Sequence, residues 1–309
     1  MATRARLVFV LGLLALSVVI VATMGRSSNR VNFSAAMQLW GDVIRDADDL
    51  GLQLTRVSAR DEMELGKRIE RAMISESRQQ TAIDPYLNTV GNALARNVSR
   101  TGIAYKFHVV GSPEINAFAV PGGQVFITTA MLGFVRSEAE LAGVLGHEIS
   151  HIDLRHCIGR YQYQLALQRV GAGPVGEAMD LARLPLVVGY TKYQESEADE
   201  QGVTLALEAG YDPRATVDVM TRLERQSRDS AASQTSSGPV TEAASATVEA
   251  LGAYLRSHPL GYERIDDLNE LIAADRSRRG PHEVYEGVEN YRERIPMSAH
   301  RYPGESKKW

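Results

Sequence analysis

The pattern of polar and apolar positions predicts a chain built mainly of helices. Residues 31–80 mix polar and apolar positions without a proline, which is typical of a helical region. Asp84 followed by Pro85 predicts a helix that runs to about Arg100, because aspartate is a favoured N-cap and proline suits the first helical position. Helical structure is therefore expected over most of residues 31–100.

A small sheet is predicted next along the chain. Residues 105–110 have the composition of a strand, and a second extended stretch covers residues 116–120. A Pro-Gly-Gly sequence at 121–123 separates that stretch from a third one at 124–128. This order of strand, turn and strand predicts a hairpin.

The next helix has a clear start. Ser137 and Glu140 form a capping box, which predicts a helix that begins at Ser137 and continues past Arg160. A further helix is predicted over residues 194–209, closed by Gly210. Many helices and one small sheet place the chain in the α+β class.

The N-terminus carries an uncharged apolar run over residues 7–24, preceded by Arg4 and Arg6. Its length is near the lower limit for a helix that spans a bilayer. Two interpretations compete, a cleaved signal peptide and an uncleaved signal anchor. The small-residue cleavage pattern is poor, which favours an anchor over residues 1–30. Both interpretations export the rest of the chain.

Composition and charge narrow the function classes. The 309 residues carry a net charge of only −4, which predicts no nucleic-acid partner, and no nucleotide is expected either. Cys157 is the single cysteine, so an intramolecular disulfide is excluded.

One domain is expected over residues 31–275, with a flexible Ser/Ala/Thr/Gly-rich loop at 227–245. Residues 276–309 are expected to form a polar C-terminal tail.

The helix that starts at Ser137 contains the most informative motif, His147-Glu148-Ile149-Ser150-His151. Side chains four residues apart share a helix face, so His147 and His151 can present ring nitrogens to one ion. Glu148 lies about 100° around the axis, where it can reach a water held at that ion. The alternative is a pair of helical histidines that bind nothing.

A catalytic zinc ion needs a third protein ligand and one open position. Leu154 and Cys157 stand where the metzincin motif has glycine and histidine, so the ligand comes from elsewhere. Glu195 and Asp199 are four residues apart and offer two carboxylates on one helix face. Such acidic clusters are commonly solvated helix faces, and spacing alone does not select Glu195.

The combined motifs resemble peptidase family forty-eight, which includes the HtpX heat-shock protease and the CAAX prenyl endopeptidases. The two histidines and Glu148 are followed some forty residues later by a Glu-x-x-Ala-Asp sequence at 195–199. The resemblance covers about residues 55–272. It extends to Asp84-Pro85, Asn116 to Gly123, His258-Pro259 and Arg264.

The resemblance implies a mainly helical zincin-like domain with a small sheet beside the active-site helix and one Zn²⁺. His147, His151 and Glu195 are then the metal ligands, and Glu148 is the general base. Asp199 is implied to accept a hydrogen bond from a ligating imidazole.

The resemblance also implies further contacts near the metal. His258 is expected to stabilise the tetrahedral intermediate, or to be a fourth ligand in a closed state. Arg264 is expected to bind substrate or the developing oxyanion, with a salt bridge as the alternative. An edge strand beside the zinc is expected to pair with substrate; it contains Asn116, Ala117, Phe118 and Ala119. For Phe118, core packing is the favoured alternative.

The resulting hypothesis is a zinc metalloendopeptidase that acts on unfolded or extended proteins in the bacterial cell envelope. It is expected to be anchored in the inner membrane facing the periplasm, or periplasmic if residues 1–30 are removed. HtpX and the prenyl endopeptidases span the membrane several times, whereas this chain has one apolar segment. A zinc-binding chaperone or assembly scaffold is the main alternative, and a latent protease closed by His258 is another.

Overall fold

Helices make up most of the chain that the computed structural model describes, which comprises residues 57–76, 83–169, 189–235, 254, 257–258, 262–280 and 282–309. The helices are α1 (Ala59–Glu76), α2 (Asp84–Ala95), α3 (Thr129–Phe134), α4 (Glu138–Asp153), α5 (His156–Arg169), α6 (Lys192–Glu208), α7 (Arg214–Thr235), α8 (Tyr262–Arg279) and α9 (Val288–Glu293). The strands are β1 (Lys106–Val110), β2 (Ala117–Val120), β3 (Gln124–Thr128), β4 (Glu283–Tyr285) and β5 (Ser306–Lys308). The predicted α+β class is confirmed.

The three-stranded sheet has the order β1-β3-β2. β1 runs parallel to β3, with Lys106 opposite Gln124, and β2 runs antiparallel to β3, with Val120 opposite Gln124. In the turn between β2 and β3, Gly122 and Gly123 have φ angles of 79° and 90°, a region that glycine enters without strain. The predicted hairpin is confirmed, and β2 is an edge strand of this sheet.

Helix α4 lies at the centre of the fold, and all of its residues are buried. It begins as predicted, with the hydroxyl of Ser137 accepting a hydrogen bond from the backbone N–H of Glu140 at 3.1 Å. It packs against α2, α6 and α7 and against strand β2. A helix enclosed in this way gives its side chains fixed positions, which suits a functional site.

The prediction that this helix continues past Arg160 is wrong. α4 ends at Asp153, and α5 begins at His156 after a turn in which Arg155 adopts a φ angle of 65°. That conformation costs a non-glycine residue about 1–2 kcal/mol, so tertiary packing must stabilise it. No glycine or proline marks the turn, which is why the hydrophobic pattern gave no sign of it.

The prediction of a polar tail over residues 276–309 is also wrong. α8 continues to Arg279, and β4 and β5 then pair as an antiparallel ribbon. The C-terminal Trp309 is 4% exposed and packs in a hydrophobic cluster with Leu268 and Val284. A few large apolar side chains anchor a segment whose average composition is polar.

The same C-terminal region caps the central helix. The first backbone N–H groups of α4, those of Glu138 and Ala139, donate to the carbonyl oxygens of Gly287 and Glu286 at 2.9 and 3.0 Å. Helix N-termini have no partners for these groups within the helix itself. The backbone at residues 286–287 therefore fixes the start of α4.

The expected flexible loop at 227–245 is helical as far as Thr235, where α7 ends. Arg228 supports the extension, because it pairs with Glu224 at 3.3 Å and its guanidinium lies 3.9 Å from the ring centre of Tyr262. The remainder of that loop and residues 1–30 lie outside the described residues. Within the described ranges, no helix has the length and apolar character needed to cross a membrane.

Candidate active site

Three side chains from two helices converge at one point inside the fold. His147 and His151 lie on α4 with their Nε2 atoms 3.1 Å apart. Glu195 lies in the first turn of α6, whose start is fixed by a capping box between Thr191 and Gln194. The Glu195 carboxylate oxygens lie 3.5 Å from Nε2 of His147 and 3.4 Å from Nε2 of His151. The structure thus brings the three predicted metal ligands together.

His258 contributes a fourth donor atom at the same point. Its Nδ1 lies 3.2 Å from Nε2 of His147 and 3.1 Å from Oε1 of Glu195. The four donor atoms lie within 4.8 Å of one another, and all four residues are buried. Nitrogen donors around a tetrahedral zinc ion are about 3.3 Å apart at the usual bond length. The observed separations fit one ion of this kind.

The chemistry of the donors also fits a metal ion. Nε2 of His147 faces two other imidazole nitrogens and a carboxylate at once. One proton on that atom can serve a single one of these partners, which leaves nitrogen lone pairs directed at each other. A cation between the rings accepts all the lone pairs together. Three imidazoles and a carboxylate are a common ligand set for divalent transition metals.

Burial and nearby carboxylates set the protonation of the two α4 histidines. Burial lowers the pKa of His147, but the hydrogen bonds to Asp199 and Glu195 and the negative charges of these carboxylates together outweigh it and raise this pKa to about 10. Burial holds the pKa of His151 well below its ordinary value. Because a metal ion binds neutral imidazole, its binding must displace the proton on His147.

Asp199 and Arg264 support the ligands from outside. Oδ1 of Asp199 lies 2.9 Å from Nδ1 of His147, on the far side of the ring from the donor cluster. Arg264 donates to Asp199 through Nε at 2.6 Å and Nη2 at 2.8 Å, and its Nη1 lies 2.8 Å from Oε2 of Glu195. These contacts turn the guanidinium toward two carboxylates. They favour a role in holding the ligands over the predicted contact with substrate.

Glu148 is beside the donor cluster without being part of it. Its side chain is fully buried, and Oε1 lies 3.3 Å from Nε2 of His258. Among the described residues, neither carboxylate oxygen has a hydrogen-bond partner. A buried carboxylate without hydrogen bonds is costly, so its retention beside a metal-type cluster points to chemistry.

The predicted substrate strand packs against the active-site helix, as β2 contacts α4. Ala117, Phe118 and Ala119 are at most 3% exposed. Phe118 stacks on Phe126 with ring centres 5.1 Å apart, which is the core packing favoured for it. The backbone N–H of Asn116 donates to Oγ1 of Thr128 at 3.1 Å. Pairing of this strand with substrate stays a prediction.

Several residues around the site were missed by the sequence analysis. His156 has no place in the predicted site, but it is buried with Nδ1 3.0 Å from Nδ1 of His151. The ring of Tyr190 stacks on His151, and that of Tyr254 stacks on His258, with ring centres 3.6 and 4.8 Å apart. Aromatic residues shortly before Glu195 and His258 were the available signal.

Comparison with known proteins gives one family and several relatives. The sequence model of Peptidase family M48 matches residues 81–272. A Beta-barrel assembly-enhancing protease of Yersinia pestis is 32% identical over 160 residues, which cover 46% of this chain and 33% of that protein. The corresponding protein of Escherichia coli (strain K12) is 29% identical over 160 residues, again 46% and 33%.

A third relative comes from a plant. The Mitochondrial metalloendopeptidase OMA1 of Arabidopsis thaliana is 32% identical over 168 residues, which cover 53% of this chain and 30% of that protein. The match thus spans about a third of the length of each of these three relatives. The part that the family model matches, residues 81–272, contains the two helices that carry His147, His151 and Glu195.

Proposed function

The chain belongs to peptidase family M48, and from this premise we propose that it is a zinc-dependent endopeptidase. His147, His151 and Glu195 hold the ion, and Glu148 is the general base. The observation that carries the proposal is the position of Glu148, a buried carboxylate with no hydrogen-bond partner in the described part of the chain, next to four converging donors. A purely structural metal site has no use for such a group.

The proposed reaction is hydrolysis of a peptide bond. Bound zinc supplies a Lewis acid that makes water more acidic and polarises the scissile carbonyl. Glu148 takes a proton from the attacking water and returns it to the leaving amine. Asp199 keeps His147 oriented through Nδ1, and Arg264 holds both Asp199 and Glu195 in place.

The proposed substrates are unfolded or extended proteins of the bacterial cell envelope. Two considerations support this class. β2 is an edge strand against the active-site helix, and backbone pairing at an edge binds extended chains with little sequence preference. The relatives named for beta-barrel assembly, together with the apolar run near the N-terminus, support the envelope as the location.

The position of His258 favours one refinement of this proposal, that the arrangement described is a closed form. A catalytic zinc ion keeps one position free for water and substrate, and Nδ1 of His258 would occupy that fourth position. Replacing His258 with alanine distinguishes its two expected roles. Faster proteolysis indicates that it only closes the site, and slower proteolysis indicates that it stabilises the intermediate.

The decisive experiment compares casein cleavage by the full-length protein with that of Glu148→Gln at matched zinc content. We expect a loss of about 10²–10⁴-fold, because the general base is removed while the ligands stay. Glu195→Gln is the companion variant and is expected to lose the metal itself. Equal cleavage by wild type and Glu148→Gln would contradict the proposed endopeptidase activity. It would favour the alternative of a zinc-binding chaperone or assembly scaffold.

A further inference from the structure

We propose that His156 and Glu197 form a relay that orients His151 and determines which of its nitrogens faces the metal. The relay is a pair of positioning residues and rests on the proposed zinc site. Asp199 contacts Nδ1 of His147 in a similar way. Among the described residues, no carboxylate directly contacts Nδ1 of His151, because the Glu195 contact is made with its Nε2.

The relay is defined by two contacts in line. Nδ1 of His151 lies 3.0 Å from Nδ1 of His156, and Nε2 of His156 lies 3.4 Å from Oε2 of Glu197. The other nitrogen of His151, Nε2, faces His147 and Glu195 in the donor cluster. The contacts therefore connect the Glu197 carboxylate on α6, through His156, to Nδ1 of His151, the nitrogen that does not face the metal.

The break between α4 and α5 is what creates this contact. In one continuous helix, a residue five positions after His151 would lie about 140° away around the axis. The left-handed conformation of Arg155 turns the chain instead, so that His156 at the start of α5 returns beneath His151. A conformation that costs energy at a non-glycine residue is thus used to place one side chain against another.

The proton positions follow from the two facing nitrogens. When two Nδ1 atoms share a hydrogen bond, one carries the proton and the other accepts it. A carboxylate next to Nε2 of His156 favours the tautomer with its proton on Nε2, which leaves Nδ1 of His156 as an acceptor. His151 then carries its proton on Nδ1 and presents the Nε2 lone pair to the ion.

Aromatic stacking alone does not determine which nitrogen of His151 faces the metal. The ring of Tyr190 lies nearly parallel to His151, at an interplanar angle of 10°, and the Arg160 guanidinium carbon lies 3.4 Å from the centre of the Tyr190 ring. This stack fixes the plane of the imidazole but permits a half-turn that exchanges its two edges. The hydrogen bond from Nδ1 to His156 is the interaction that distinguishes the edges.

The test uses zinc affinity and spectroscopy, so that it does not depend on proteolysis. Full-length wild type, His156→Leu, His156→Asn and Glu197→Gln are compared by competition with a chelator for zinc. The visible absorption of the Co²⁺-substituted proteins reports ligand geometry. We expect His156→Leu to bind zinc about 10–100-fold more weakly with an altered cobalt spectrum.

Asparagine can place an amide oxygen near the position of Nδ1, so His156→Asn is expected to recover most of the zinc affinity and the cobalt spectrum. Glu197→Gln is expected to weaken zinc binding by a smaller factor, and because this side chain is 34% exposed, folding is not at risk. His300→Leu, at an exposed histidine, is the control and is expected to match wild type.

Unchanged zinc affinity and spectrum in both His156→Leu and Glu197→Gln would overturn the relay. So would a His156→Asn variant as impaired as His156→Leu. These failures leave the proposed function standing, because wild type would still hold zinc. A wild-type protein that binds no zinc would instead remove the proposed function and the relay together.

Discussion

Gly202 of α6 lies directly against the backbone of His147 in α4. A Cβ atom on this glycine would lie 2.8 Å from the His147 nitrogen, and one on Gly146 would lie 2.8 Å from the carbonyl oxygen of Gly202. Glu195 precedes Gly202 by about two helical turns and so shares its face. The close crossing of the two helices therefore sets how near the Glu195 carboxylate comes to the histidines.

Replacing Gly202 with alanine is expected to separate the two helices. The added methyl group meets backbone rather than a flexible side chain, so we expect a loss of about 1–3 kcal/mol in the free energy of unfolding. Zinc affinity should fall as well, because Glu195 moves away from His147. Urea unfolding of the metal-free protein and chelator competition measure the two effects.

Gly159→Ala is the matched control for this substitution. Gly159 is also helical, but a Cβ atom there has nothing within 4 Å. Alanine should leave zinc affinity unchanged and raise stability by about 0.5–1 kcal/mol, since glycine is unfavourable within a helix. Equal changes in zinc affinity and in the free energy of unfolding for Gly202→Ala and Gly159→Ala would contradict the conclusion that the helix crossing sets the position of Glu195.

Asp199→Asn is expected to lower zinc affinity by about 10–100-fold. The amide keeps the shape of the carboxylate but removes the charge that orients His147 and balances Arg264. The neighbouring Glu200→Gln, at an exposed position of the same helix, is expected to bind zinc like wild type. Zinc titrations of both variants against one chelator provide the comparison, and identical affinities would rule out the support assigned to Asp199.

The parts of the site that follow from local periodicity were predictable from the sequence. His147 and His151 converge because they are one turn apart in a helix whose start is marked by Ser137. Glu195 was different, because several carboxylates in its segment have suitable spacing. Only the resemblance to a family selected it, and the structure places it at the donor cluster.

The contacts that were missed depend on how distant segments pack. His156 reaches His151 through a turn at Arg155, and no residue type there marks a change of direction. The polar average composition of the C-terminal region predicts a tail, but this region is folded. Its scattered large side chains, such as Tyr291 and Trp309, were a better guide to burial than that average.

The C-terminal residue provides a direct test of that correction. Trp309→Ala is expected to lower the free energy of unfolding by about 3–5 kcal/mol, because it empties a buried site among Leu268, Ile272 and Val284. Lys308→Ala, at the exposed neighbouring position, is expected to change stability by less than about 0.5 kcal/mol. Urea denaturation of the two variants measures these changes in the free energy of unfolding. A similarly small change in both variants would favour the original prediction of a polar tail.

Glu138 at the start of α4 should make stability fall as the pH rises. It is fully buried and accepts hydrogen bonds from the hydroxyls of Tyr86 and Tyr211 and from the backbone N–H of Met297, each at 2.8 Å. Burial raises the pKa of its carboxyl above the ordinary value of 4.5 despite these donors. The folded state thus binds this proton more tightly than the unfolded state.

The sign of the effect follows from this difference in proton binding. The stabilisation from protonated Glu138 is complete below about pH 4.5 and is lost as the pH rises through the raised pKa of the folded state. Glu138→Gln has no proton to lose, so the stability of wild type relative to this variant should decline between pH 4 and the neutral range. Urea unfolding of the metal-free proteins across that range measures the difference, with Glu208→Gln at an exposed position as the control. A difference that stays constant or grows with pH would mean that the buried carboxylate is ionised at least as easily in the folded protein as in the unfolded chain.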